Sequence, residues 1–363
     1  MTNSDQNSIA LENAIVTDPV EAAKAARLRH VSDEVPGLRR KKIGRGFSYR
    51  NANGERITEP ATLHRIKSLV IPPAWTEVWI CPSPDGHIQA TGRDEKGRKQ
   101  YIYHPRWHEI RNETKFNRMI LFAEKLPGIR ERTDHDLRKR GLPREKVLAA
   151  VVRLLESTLI RIGNAEYARR NASFGLTTLR DRHVTISGTV IEFEFSGKSG
   201  KQHDVVLHDR RLARVVQQCK DIPGYELFQY LDDDGNRQSI DSGDVNDYLR
   251  DITGEDISAK DFRTWGGTVR AVRVLMEMGP TGDEAEAQRN VTAVVKQVAE
   301  ELGNTPSVCR SYYIHPAVLD CYPTGRMAEI IEQVHSEQPD SPYALDADET
   351  VTAAFLRECA LSG

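Results

Sequence analysis

No two cysteines in the sequence stand in a Cys-x-x-Cys pair. The five present (Cys81, Cys219, Cys309, Cys321, Cys359) are dispersed and odd in number. That argues against a disulfide framework and a zinc site, and for reduced thiols in a cytoplasm. No apolar run approaches the roughly 18 residues a membrane span needs, so no membrane partner is expected. The N-terminus is polar and acidic, without a basic-then-apolar leader, and the expected localisation is cytoplasmic. There is no internal repeat and no low-complexity tract. Neither a His-Glu-x-x-His motif nor an acidic metal cluster occurs, so no catalytic metal is expected. Gly197-Lys198-Ser199 resembles the end of a nucleotide P-loop, but Glu192 stands where that motif needs its first glycine, and the context is a hairpin. Gly44-Arg45-Gly46 lacks a third glycine and a βαβ setting. No nucleotide cofactor is expected.

What is present is an uneven charge. The net value of -2 includes four acids without a Lys or Arg in residues 1–22, and eight acids against Arg357 alone in residues 329–363. Residues 23–328 therefore carry +9, a basic body between acidic ends, which suits a polyanionic partner.

Hydrophobic periodicity predicts an α+β protein. A small N-terminal antiparallel β-sheet domain precedes a larger, mainly α-helical domain that holds a small three-stranded antiparallel sheet. Residues 1–29 read as an acidic extension with a short helix from Asp18-Pro19 to about Arg29. Residues 30–111 read as the β-rich domain. In it, Gly46 to Ile57 alternates around Asn53-Gly54 as a hairpin, a short helix covers 61–69, and strands follow at 75–80, 87–91 and 100–103. Residues 112–330 read as helical, with one long helix over Arg144 to Arg170. Three strands interrupt the helices at 183–187, 190–195 and 203–207, and Gly197–Lys201 is the turn between the last two. Residues 331–363 read as a loosely held acidic tail.

Five residues stand in contexts that suit phosphoryl chemistry. Arg161 lies near the end of the predicted long helix, flanked by aliphatics. Lys198 occupies the tip of a β-turn. Ser258 and Asp261 have capping-pair spacing, which puts Lys260 and Arg263 in the first turns of a helix, where backbone N–H groups also favour an anion. Gly303 stops one helix, and Thr305-Pro306 starts another that carries Tyr312 and Tyr313, with Asn304 between. Each feature alone also fits a solvated surface or a packed core.

Taken together, these stretches resemble type IB DNA topoisomerases, most closely the compact poxvirus-like and bacterial branch. The matching segments are Ile160-Arg-Ile-Gly163, Gly175-Leu-Thr-Thr-Leu179, Phe195-Ser-Gly-Lys198, Lys260-Asp-Phe-Arg-Thr-Trp-Gly266 and Gly303-Asn-Thr-Pro-Ser307 leading to Tyr313. Gly97-Arg-Lys-Gln-Tyr-Ile-Tyr103 also looks like the family's DNA-contacting strand, and the likeness covers roughly residues 30–325. It implies transient cleavage of one DNA strand through a 3′-phosphotyrosyl link and resealing, without ATP or metal, in a monomer that clamps duplex DNA at the bacterial nucleoid. It also implies roles. Tyr313 is the nucleophile, Arg161 and Arg263 clamp the phosphoryl oxygens, and Lys198 is the general acid. Asn304 donates a hydrogen bond where many members have His. Arg98, Lys99, Gln100, Tyr101, Tyr103, Tyr167 and Lys260 contact DNA. The nine-residue spacing from Asn304 favours Tyr313 over Tyr312. The rival readings are a tyrosine recombinase, which typically carries His-x-x-Arg where this chain has Lys260-x-x-Arg263, and a catalytically inactive DNA-binding clamp.

Overall fold

The computed structural model describes residues 20, 23–24, 26–44, 46–95, 97, 99–332 and 341–361, with 108–117 and 361 by backbone alone. Residues 1–19, the start of the expected acidic extension, lie outside the described residues; of the short helix expected to run to about Arg29, Val20, Ala23 and Lys24 are helical, whereas Ala26 to Arg29 are turn and extended chain. The chain divides into two compact units, one to Arg118 and one from Met119.

The first unit is built on a five-stranded antiparallel sheet in the order β2-β1-β3-β4-β5. Its strands are β1 (Leu38–Ile43), β2 (Gly46–Arg50), β3 (Thr76–Ile80), β4 (Ile88–Arg93) and β5 (Lys99–Tyr103). The alternation of β3 divides two small cores. Val78 and Ile80 join Leu38, Ala90 and Ile66 of helix α1 (Pro60–Ser68) on one face. Trp79 joins Cys81 and Ile88 on the other. The hairpin differs from expectation. The basic run Arg39–Lys42 is itself a strand and pairs with β2. Asn53-Gly54 forms only a turn closed by the Arg50–Arg56 bridge. Residues 39–42 are all basic and show no apolar alternation, and only pairing to β2 and β3 makes them a strand.

Helix α2 (Pro105–Leu137) is continuous through residue 111, with no loop there. The second unit centres on α3 (Arg144–Thr158), in which Val147 to Val152, Leu154 and Leu155 are all fully buried. A helix apolar on every side belongs in a core. The long helix expected to reach Arg170 instead ends at Leu159, whose φ of 52° is left-handed. Residues 159–164 are non-helical, and Asn164 caps a separate short helix, α4 (Ala165–Asn171), by accepting from the Glu166 and Tyr167 N–H groups. The expected small sheet is present as β6 (Val184–Ser187), β7 (Val190–Ser196) and β8 (Gln202–His208), paired in that order. After it come α5 (Arg210–Lys220), a two-stranded ribbon of β9 (Gln229–Leu231) and β10 (Arg237–Ser239), and α6 (Ser242–Thr253). Next are α7 (Ala259–Met278), α8 (Glu284–Glu301), α9 (Pro306–Tyr312), α10 (Pro316–Cys321) and α11 (Arg326–Glu332). None of the described helices is long and apolar enough to cross a membrane.

The acidic C-terminal stretch is not a loose tail over its described residues. Helix α12 (Ala347–Leu361) packs on α7 and α11 and buries Ala353, Phe355 and Leu356. Glu349, 7% exposed, accepts from both Arg130 Nη2 and the Trp265 indole N–H. Arg130 also pairs with Glu156 at 2.6 Å, so the acid is neutralised where it is buried. Its charge count suggested solvent because the Arg130 partner lies more than 200 residues away in sequence. Truncating the fully buried Phe355 to Ala is expected to lower the unfolding free energy by about 3–5 kcal/mol, read from urea denaturation. A loss under about 1 kcal/mol would place α12 outside the core.

Candidate active site

Arg263 is set by the first turns of α7. Its capping pair forms as spaced, with the Asp261 carboxylate accepting from the Ser258 N–H at 2.8 Å and the Ser258 hydroxyl at 2.9 Å. The side chain then turns inward and is only 3% exposed. Its Nη1 donates to the Leu159 carbonyl and its Nη2 to the Leu302 carbonyl at 2.8 Å. Leu159 and Leu302 are the C-caps of α3 and α8. One guanidinium thus takes up the orphan carbonyls at two helix C-termini, where the helix dipole is negative. Lys260, a turn earlier, is exposed and does not share this environment.

Arg161 approaches from the residues after α3. It sits in an irregular link rather than on a helix, because Leu159 has left the helical conformation two residues before it. Its Nη2 donates to the Asn304 side-chain oxygen and to the Gly303 carbonyl at 3.3 Å. Asn304, 7% exposed, follows the left-handed Gly303 (φ 59°) that ends α8. Lys201 Nζ donates to the Asn304 backbone carbonyl at 2.6 Å.

Tyr313 is the C-cap of α9, with φ -131° and ψ -6°, not a residue within the helix. Its carbonyl accepts from the Thr268 hydroxyl at 3.4 Å, and it lies over Gly267, where an ideal Cβ would come within 2.6 Å of that oxygen. At Gly266 a Cβ would sit 2.6 Å from the Leu159 side chain. The adjacent glycines give α7 a flat face against which both the end of α3 and the end of α9 close. Glycine in a helix costs about 1 kcal/mol relative to Ala, and here close packing offsets it. Arg263 stands 5.1 Å over the centroid of the Tyr313 ring. Tyr312 is 45% exposed.

The electrostatics follow from burial. Desolvation lowers the Arg263 guanidinium to about 10, and repulsion from Arg161 adds to this while Tyr313 opposes it. Burial likewise lowers Arg161, again opposed by Tyr313. The Cys309 thiol is pushed up to about 11 by burial, against the pull of Arg263. Three buried donors in this cluster, Arg161 Nη1, Arg263 Nε and Asn304 Nδ2, have no hydrogen-bond partner among the described residues. Unpaired buried donors of this kind are costly, and an anion with several acceptor oxygens would satisfy them together.

The structure thus brings together Arg161, Arg263, Asn304 and Tyr313. Lys198 is exposed on the turn between β7 and β8, in a short 3₁₀ segment that continues to Gly200. In the first unit, Lys99 pairs with Asp33 at 2.8 Å, and Gln100 donates to Asp94 at 2.9 Å. Tyr101 is 43% exposed and stacks on Tyr103, with centroids 5.8 Å apart. Tyr103 packs against the core of Trp79, Cys81 and Ile88 and against a separate cluster of Ala23, Ala26, Leu28 and Trp107. Arg98 lies outside the described residues. Tyr167 is exposed on α4.

Sequence reading missed Lys201 and His203. Lys201 belongs to the same turn as Lys198, and its signal was available. His203 pairs with Phe195 across the β7–β8 hairpin, on the inward-facing register. The opposite face of that hairpin gathers the carboxylates of Glu192, Glu194 and Asp204, with ligand oxygens within 4.8 Å of one another. Strand register assembles this group, so no sequence motif announces it.

Residues 104–338 match the family described as "Eukaryotic DNA topoisomerase I, catalytic core", and residues 46–94 match "Bacterial DNA topoisomerase IB, N-terminal domain". DNA topoisomerase 1B of Acanthamoeba polyphaga mimivirus is 30% identical over 293 residues, covering 79% of this chain and 87% of the viral protein. DNA topoisomerase 1B of vaccinia virus (strain Western Reserve) is 22% identical over 244 residues, covering 67% of this chain and 74% of the relative. DNA topoisomerase 1 of rabbit fibroma virus is 24% identical, covering 63% and 70%.

His203 gives this site a pH signature. Burial lowers its imidazole to about 4, helped by Arg161, Arg263 and Lys201. In the unfolded chain the ring takes up its proton near the ordinary imidazole value of 6.5. Between these values the unfolded state binds more protons, so the contribution of the neutral ring is complete above about 6.5 and is lost as pH falls toward 4. Calorimetric melting across this window is expected to show the wild-type Tm falling more steeply than that of His203→Ala. Parallel curves would contradict it.

Proposed function

The chain belongs to the type IB DNA topoisomerase family, and from this we propose that it relaxes positive and negative supercoils through a transient break in one strand of duplex DNA, with Tyr313 as nucleophile. The observation that carries this reading is the pair of guanidinium groups beside Tyr313, each with a buried, unpartnered N–H donor.

In the forward step the Tyr313 oxygen attacks the scissile phosphorus as its proton passes to water. A phosphorus–oxygen bond forms to tyrosine, and the bond to the 5′-oxygen breaks. That oxygen leaves with a proton from the Lys198 ammonium, giving a free 5′-hydroxyl. Negative charge gathers on the non-bridging oxygens in the transition state. Arg161 Nη1, Arg263 Nε and Asn304 Nδ2 supply fixed donors for it, already desolvated and needing little reorganisation. The Arg161 bond to the Asn304 side-chain oxygen orients that amide, leaving its NH₂ to donate to phosphate. Asparagine therefore serves here as a hydrogen-bond donor and not as a proton source. Once the broken strand has swivelled, the 5′-hydroxyl attacks the phosphotyrosine and the phenol leaves. The link conserves the phosphodiester's bond energy, so the cycle needs neither ATP nor a metal.

Contacts to the duplex are assigned to Lys99, Gln100, Tyr101 and Tyr103 on β5, with Arg98 beside them, and to Tyr167 and Lys260 in the catalytic unit. Most would be to phosphates. Lys99 is held by Asp33, so a phosphate would exchange one anionic partner for another. One chain supplies every catalytic group, which supports a monomer.

The test is relaxation of positively and negatively supercoiled plasmid in EDTA without ATP. Wild type and Tyr312→Phe are expected to relax both. Tyr313→Phe is expected to relax neither, with gel-shift binding unchanged. Relaxation by Tyr313→Phe, or none by a DNA-binding wild type, would overturn the reading.

A further inference from the structure

His203 has no part in the reaction just described, yet it stands where several of its parts meet. Phe195 covers one face of the imidazole from the neighbouring strand, with centroids 4.9 Å apart and planes 8° from parallel. The ring edge abuts two glycines from different parts of the chain. An ideal Cβ at Gly197 would lie 2.6 Å from Cδ2 and Nε2, and one at Gly303 would lie 2.6 Å from Cε1. Neither glycine could carry a side chain without displacing the ring. Gly197 leads into the turn that bears Lys198, and Gly303 immediately precedes Asn304. The other end of the turn is tied to the same loop, because Lys201 Nζ donates to the Asn304 carbonyl and the Gly197 N–H donates to the Lys201 carbonyl at 2.7 Å.

We propose that His203 is a positioning residue, a flat wedge between Gly197 and Gly303 that registers the Lys198 turn against the loop carrying Asn304. The inference rests on the function proposed above. A turn at the tip of a two-stranded projection has few contacts of its own. Lys198 is exposed, and Ser199 adopts a left-handed φ of 64°. Lys201 restrains the turn by a single flexible side chain, whereas a stacked ring braced between two backbones restrains it by shape. Burial favours the uncharged ring there, and Arg161 after α3, Arg263 of α7 and Lys201 of its own hairpin add to this with positive charge. A neutral ring so placed is not the proton donor. It holds the donor's turn in place.

Gly197 makes the inference testable, because its φ of -93° is ordinary and His203 is the nearest obstacle to a Cβ there, the next contact being the Lys201 carbonyl at 3.6 Å. Single-turnover cleavage would be measured for wild type, His203→Ala, Gly197→Ala and the double variant. Each would be given an ordinary phosphodiester and one with sulfur at the 5′-bridging position, whose leaving group needs no proton. His203→Ala and Gly197→Ala are each expected to slow phosphodiester cleavage by about tenfold or more. Both should spare the bridging-sulfur substrate and DNA affinity. In the double variant the alanine at 197 should add no further loss, since the ring it would strike is gone. Equal losses on the two substrates, or losses that multiply in the double variant, would overturn the proposal while wild-type cleavage left the function standing. Absence of wild-type cleavage on either substrate would instead overturn the function. If Gly197→Ala does not fold, the substrate comparison for His203→Ala decides alone.

Discussion

Two neighbouring guanidinium groups, Arg263 buried and Arg161 half-buried, are the constraint around which the second unit is organised. Arg161 and Arg263 repel each other, and burial disfavours the charge of both. Such a pair survives only where fixed dipoles replace the solvent. The replacement comes from main-chain carbonyls at the C-caps of α3 and α8, the Gly303 carbonyl and the Asn304 side chain. Each partner is an acceptor without full charge. No carboxylate is among them, so the pair keeps its net positive character and can attract an anion. A salt bridge would have stabilised the arginines and disabled the site.

Several features that look independent follow from this. Helix α3 must end at Leu159 so that its last carbonyl can meet Arg263. Helix α8 must end at Gly303 so that Leu302 can do the same and Asn304 can turn toward Arg161. The glycines of Trp265-Gly-Gly-Thr268 let the ends of α3 and α9 reach one face of α7, which brings Tyr313 under Arg263. Carboxylates appear one layer out, where Glu156 and Glu349 hold Arg130 and pin the C-terminal helix. Arg161 and Arg263 are thus held by uncharged oxygens, whereas Arg130 is neutralised by two acids in addition to the Ala344 carbonyl.

Sequence alone carried the α+β class, the small three-stranded sheet, the caps at Ser258 and Thr305, and the helix stop at Gly303. These are local signals, each written within a few residues. The break at Leu159 was not legible, because the apolar helical pattern runs on past it and no Gly or Pro marks the stop. A left-handed leucine is held by tertiary contacts, here by Arg263 and the Gly266 face. The order of the C-terminal segment was hidden for the same reason, its acids being answered by Arg130 far upstream. Lys201 and His203 needed the hairpin register and the approach of Gly303, which only the folded chain supplies.

The central claim is that this carbonyl-held cation pair presents a phosphodiester to Tyr313. The most direct measurement is trapping the covalent intermediate on a nicked or truncated duplex that cannot religate, digesting it, and locating the nucleotide-bearing peptide by mass spectrometry. The account predicts a single adduct on Tyr313, with a 3′-phosphate attached and a 5′-hydroxyl on the released strand. An adduct on Tyr312, a 5′-phosphotyrosyl link, or cleavage without any adduct would contradict it.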